Sequence, residues 1–105
     1  MAKFVLAYKG GAMGATEAEQ KQILAAWGEW FGKLGPAIVD GGAPFGPSMS
    51  VASNKSTSSG GSSALTGYSI LQADNLHAAT EMAKGCPVLI GGGSVEVYEA
   101  MPVAM

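Results

Sequence analysis

The chain has 105 residues, 48% apolar and only 13% charged, with a formal charge of −2. That length makes a single domain, residues 1–105. All six basic residues are lysines, so the bidentate groups that read bases and the basic stripe that neutralises phosphates are missing, and nucleic acid is excluded as a partner.

No run reaches the roughly 20 apolar residues of a membrane span, so no membrane partner is expected. The first residues carry no secretory pattern. One cysteine among six methionines fits a reducing compartment, and a cytoplasmic location is expected. The mean hydropathy of +0.23 is high for so small a domain. Either both faces of its elements are covered within the chain, or the chain associates with something.

"KFVLAY" (Lys3–Tyr8) reads as a strand with Phe4, Leu6 and Tyr8 on one side and Val5 and Ala7 on the other. Neither side is polar, as in a strand covered on both faces. "KGGAMGA" is a loop, after which Thr16 is placed to cap a helix and Glu19 to close a capping box. Ile23, Trp27, Trp30, Phe31 and Leu34 form one apolar stripe on that helix. Gly28 and Gly32 flank it at a cost of about 1 kcal/mol each relative to alanine, which points to close approach by another element. Gly35 and Pro36 end the helix.

"AIVD" is a second strand running into "GGAPFGP", in which five of seven residues are glycine or proline. "SMSVAS" is a third strand. Residues 53–66, "SNKSTSSGGSSALT", form a Ser/Gly-rich tract that reads as a flexible hairpin connection within the domain. "GYSILQA" (Gly67–Ala73) resumes the sheet. A second helix follows, with Asp74 as cap, Leu76, Ala79, Thr80 and Ala83 as its inner stripe, and Gly85 and Pro87 as its stop. "SVEVYEAM" (Ser94–Met101) closes the chain as a strand with Val95 and Val97 on one face.

The order β-α-β-β-β-α-β predicts an α+β fold: a ferredoxin-like sandwich with an antiparallel sheet and two helices on one face. Two helices leave the other face of the sheet open, so a homodimer is expected across it.

The glycine runs "GGAMG" and "GGG" lack the spacing and following residues of a phosphate loop or dinucleotide fingerprint and read as turns. One histidine and one cysteine cannot build a zinc site, and the acids are scattered, so neither metal nor cofactor is expected. His77 falls with Glu81 and Lys84 on a solvated helix face. Cys86 lies past a helix C-terminus, where the field does not favour a thiolate. The Trp27–Trp30–Phe31 stripe reads as core, with a ligand cleft beside it if the core stops short. Asp40 stands at a strand end beside a rigid turn. It is the remaining acid–base candidate, although an Asp before Gly-Gly is also an ordinary turn former whose side chain bonds the backbone two residues on.

Taken in order, "MAKFVLAYKG", "AAWGEWFGKLG", "VDGGAPFGPS", "LTGYSILQADNLHAATEMAKGCP" and "GGSVEVYEAMPV" resemble the YCII-related (DGPF-like) proteins over nearly the whole chain except the Ser/Gly tract. The resemblance implies a dimeric α+β barrel. Most such proteins have no established function, and a few related ones are implicated in lyase or isomerase-type chemistry on small cyclic compounds. The histidine of the family's proposed active site would fall near Trp27, and its Asp-Pro step is Cys86-Pro87 here, so that dyad is absent.

The expectation is therefore a homodimer that binds a small molecule in a cleft between the first helix, the second strand and the sheet. Trp27, Asp40, Phe45, Tyr68 and Cys86 would line it. An enzyme with Asp40 as general base and a structural dimer module are the alternatives.

Overall fold

The computed structural model describes residues 2–11, 16–60 and 64–102. Four strands form the main sheet: β1 (Ala2–Lys9), β2 (Ile38–Pro44), β5 (Leu65–Ala73) and β6 (Ser94–Ala100). Their spatial order is β2-β5-β1-β6, and every pairing is antiparallel. Helices α1 (Glu17–Leu34) and α2 (Leu76–Ala83) connect them, with single 3-10 turns at Gly35–Ala37 and Pro87–Leu89. The fold is thus α+β, and the strand order is compatible with a ferredoxin-like arrangement. Among the described residues no helix is long and apolar enough to cross a membrane.

Alternation along β1 sends Phe4, Leu6 and Tyr8 to the helix side, where all three are buried. They meet Leu71 and Ala73 from β5, Trp30 from α1, and Ala79 and Ala83 from α2. Removing a large apolar side chain of this kind from water stabilises the fold by about 1.5–3 kcal/mol. The stripe expected on α1 is the one that faces the sheet: Trp30 is buried and Ile23, Trp27, Phe31 and Leu34 are half-buried. Thr16 caps the helix as its spacing predicts, its hydroxyl accepting from the Glu19 N–H at 3.1 Å. Gly35 closes it at φ +51° with its N–H on the Phe31 carbonyl. Val95 and Val97 of β6 share the helix-side face and pack on the core.

Several details depart from the expectations. Among the described residues nothing outside the helix backbone lies within 4 Å of where a Cβ would stand on Gly28 or Gly32. The close approach occurs at Gly85, where an added Cβ would lie 3.1 Å from Trp30 Cδ1, and where the Trp30 indole N–H donates to the Met82 carbonyl at 3.0 Å. The cap of α2 is Asn75 rather than Asp74: Asn75 is extended and its Oδ1 accepts from the Ala78 N–H at 2.8 Å. The two side chains are about equally good caps, so sequence does not separate them. The buried stripe of α2 is Ala79 and Ala83 with half-buried Ala78 and Met82, whereas Leu76 and Thr80 are exposed. Leu76 opens the helix on its outer side, and the Thr80 hydroxyl turns back onto the Leu76 carbonyl at 2.8 Å.

The third expected strand does not join the main sheet. β3 (Met49–Val51) pairs with β4 (Thr57–Ser59), which comes from the Ser/Gly-rich tract, in a separate two-stranded sheet. Pro44 and Pro47 flank the exit from β2, and neither can supply a ladder N–H, so the chain leaves the sheet edge there.

Candidate functional site

The second face of the main sheet carries the other half of each strand. Its rows follow from the register. Ile70, Val5 and Tyr98 lie side by side, as do Tyr68, Ala7 and Glu96, and Gln72, Lys3 and Ala100. Among the described residues no helix covers this face, and Val5, Ala7, Tyr68 and Ile70 stay half-buried while Tyr98 is 55% exposed. A charged pair marks one side of it. Lys9 Nζ lies 3.3 Å from Glu96 Oε1, and the Tyr98 hydroxyl donates to Glu96 Oε2 at 2.7 Å. The Tyr98 hydrogen bond, then Lys9, holds the Glu96 carboxyl below the usual range, and the same bond raises the Tyr98 phenol.

At the β2 edge of this face the turn "VDGGAPFGP" builds a compact polar and aromatic cluster. The pairing of β2 with β5 shifts between Ile38 and Asp40 and again between Asp40 and Ala43, so the strand bulges twice. Asp40 Oδ1 accepts from the Gly42 N–H at 2.9 Å, closing the turn two residues on. Gly42 sits at φ +78°, and a Cβ there would collide with the Tyr68 carbonyl, so only glycine fits. Asp40 Oδ2 accepts from the Tyr68 hydroxyl at 3.1 Å, and that bond raises the phenol above its ordinary value. Beyond the bulge, the Phe45 N–H donates to the Thr66 carbonyl at 2.9 Å, and the Phe45 ring stacks on Tyr68 with centroids 5.8 Å apart and planes 20° apart.

The five residues singled out from sequence fall into two groups, separated by the sheet. Asp40, Phe45 and Tyr68 come together on the open face. Trp27 and Cys86 lie on the helix side. Trp27 meets the Tyr8 ring edge-on at 5.2 Å, and Cys86 is buried in the same cluster. Strand alternation is the reason: Tyr8 and Tyr68 project to opposite faces, so one cleft between α1 and the sheet cannot gather all five. On that side Trp27, Trp30 and Phe31 pack ring against ring at 5.4–5.7 Å. Aromatic side chains, with Tyr8 among them, thus pack between α1 and the sheet at this point.

A shallow groove of ≈ 410 Å³ lies elsewhere, between the first half of α1 and the turn after Pro87. It is lined by Glu19, Gln22, Ile23, Ala26, Pro87, Ile90 and Gly91. None of the five residues borders it.

Cys86 is a buried thiol whose pKa burial pushes up to about 11, the Val88 backbone and Tyr8 bonds only partly opposing this. Burial thus disfavours the thiolate that a nucleophile would need. The Tyr8 phenol is also raised by burial. Its hydroxyl donates to Ser69 Oγ at 2.7 Å, and Ser69, fully buried, donates in turn to the Gly41 carbonyl at 2.7 Å. A hydroxyl chain thus runs from the core to the bulge that holds Asp40. His77 is solvated as expected, 4.0 Å from Glu81, which also pairs with Lys84 at 2.9 Å.

Sequence reading missed Ser69 and the Lys9–Glu96–Tyr98 group. Their signal is the period-two pattern of β1, β5 and β6. It becomes legible only once the register says which residues stand opposite.

No protein-family model, curated protein or solved structure matches the chain.

Proposed function

We propose that the protein is a homodimer of the YCII-related kind, formed through the open face of the main sheet as a dimeric α+β barrel. It binds a small molecule at the Asp40–Phe45–Tyr68 cluster on the edge of that face. The observation that carries the reading is this cluster itself. An exposed carboxylate is held at both oxygens, by the Gly42 N–H and the Tyr68 hydroxyl, beside an aromatic pair stacked 5.8 Å apart. A flat aromatic surface next to a fixed acceptor suits a planar ligand carrying a hydrogen-bond donor.

The dimer has separate support. Val5, Ala7, Ile70, Tyr68 and Tyr98 form a continuous apolar strip that no helix or strand among the described residues covers. Two such faces stack at about 10 Å, as sheets do in sandwiches. Asp40 serves binding rather than proton transfer in this reading. Its Oδ1 closes a turn, its Oδ2 accepts a hydrogen bond from the Tyr68 hydroxyl, and among the described residues no histidine or lysine bonds it.

Native mass spectrometry of the protein purified from its own source tests both parts. A two-chain species carrying a stoichiometric extra mass, lost in Phe45→Ala and Asp40→Asn, is the expected result. A two-chain species with no added mass overturns the ligand, and a single chain overturns the dimer.

A further inference from the structure

The β3–β4 hairpin has no evident role in the chain that carries it. Its strands are three residues each and, among the described residues, pair only with each other, Met49 with Ser59 and Val51 with Thr57. Among the described residues neither packs substantively against the main sheet or a helix. A two-stranded hairpin alone is marginal in water. This one is nevertheless sharply built. The Gly60 N–H donates to the Ser48 carbonyl at 3.0 Å, and a Cβ on Gly60 would collide with Ser48, so the neck is pinched. At the tip, Asn54 Oδ1 accepts from the Ser56 N–H at 3.0 Å and from its hydroxyl at 2.7 Å, and Lys55 takes φ +71°.

Met49 and Val51 stand on the same side of β3 and are 67% and 68% exposed. Between Ser48 and Gly60 the only charge is Lys55, so no ion has to be desolvated when that side is covered. The radius of gyration is 15.2 Å, against about 13 Å for a compact chain of this length. The molecule therefore reaches beyond its two-layer body.

We infer that the hairpin is an exchange arm: in the homodimer its Met49–Val51 side packs on the second copy, and the second copy's arm packs reciprocally. This rests on the proposed dimer and adds how that dimer is held. The area argument selects the occupant. Four strands at about 4.8 Å spacing and seven residues at about 3.3 Å give a face of roughly 450 Å². Two stacked faces then bury roughly 900 Å², short of the 1,200–2,000 Å² or so of a stable interface. One side of the arm, two strands of three residues, offers roughly 100 Å² at the same spacings, and two arms covered against two partner surfaces bring the total to roughly 1,300 Å². The bare face is too small, and the arm supplies what it lacks.

The test compares sedimentation equilibrium of the wild type with Met49→Ser/Val51→Ser. It is joined by isotope-filtered nuclear Overhauser spectra of a mixed dimer, one copy labelled and one not. The expected result is a wild-type dimer whose dissociation constant rises about 100-fold in the double variant, four apolar side chains per dimer being lost. Circular dichroism stays unchanged, and the Met49 methyl shows contacts to the unlabelled copy. A double variant that dimerises as tightly as the wild type, together with wild-type Met49 contacts confined to its own chain, overturns the arm and leaves the dimer standing. A monomeric wild type overturns both.

Discussion

Ser69→Ala tests the link between the core and the bulge. Ser69 is fully buried and makes two 2.7 Å bonds, accepting from Tyr8 and donating to the Gly41 carbonyl. Alanine removes the acceptor of one buried group and the donor to a partly buried one. An orphaned polar group costs about 1–3 kcal/mol, and the Gly41 end recovers some of this from water, so the loss is about 2–4 kcal/mol. For a chain of this size that lowers the melting temperature by roughly 10–20 °C. Tyr8→Phe alone leaves the Ser69–Gly41 bond intact and costs about 1 kcal/mol. In the double variant the Tyr8 hydroxyl is no longer orphaned, so the two losses fall short of additive by about 1–2 kcal/mol. Urea unfolding of the four proteins measures the cycle. A Ser69→Ala protein within about 0.5 kcal/mol of wild type, or a strictly additive cycle, refutes the hydroxyl chain as a structural link.

Gly42→Ala loses about 2–4 kcal/mol in the same unfolding assay, because the alanine faces both a positive φ and the Tyr68 carbonyl. Asp40→Asn lowers the Tyr68 phenol pKa toward its ordinary value, read by NMR titration of the ring, since the carboxylate bond is what raises it. The Glu96 carboxyl is lowered in the fold, so its contribution is complete above the unfolded carboxylate value and fades as pH falls through the lower folded one. Glu96→Gln then flattens the acid limb of the stability profile between those two values. With its thiol near 11 and buried, Cys86 resists iodoacetamide at pH 8 in the native protein and alkylates once urea unfolds it.

Much of this architecture is written locally. The α1 stripe, the Thr16 cap and the Gly35 stop each rest on residues within one or two turns of one another, and each appears where the spacing places it. The Asp40–Gly42 bond is equally local, an aspartate closing onto the backbone two residues on. What was not legible depends on partners distant in sequence. Whether Asp40 meets Trp27 or Tyr68 is decided by strand parity across the β2–β5 ladder, and two bulges reset that parity. The tract after Val51 has no apolar period, so nothing local marks Thr57–Ser59 as the partner of Met49–Val51. In α2, five of eight residues are alanine, threonine or methionine, which leaves the apolar direction poorly defined and hides the turn of the stripe toward Met82.

Solvent paramagnetic relaxation, with a soluble gadolinium chelate and methyl- and tyrosine-labelled protein, tests most directly whether the open face is an interface. In the single chain Tyr98 is 55% exposed and Leu24, on the far side of α1, is 70% exposed. The homodimer predicts that Tyr98, Val5 and Ile70 are shielded while Leu24 relaxes at the full rate. Tyr98 relaxing as fast as Leu24 at high protein concentration would contradict it.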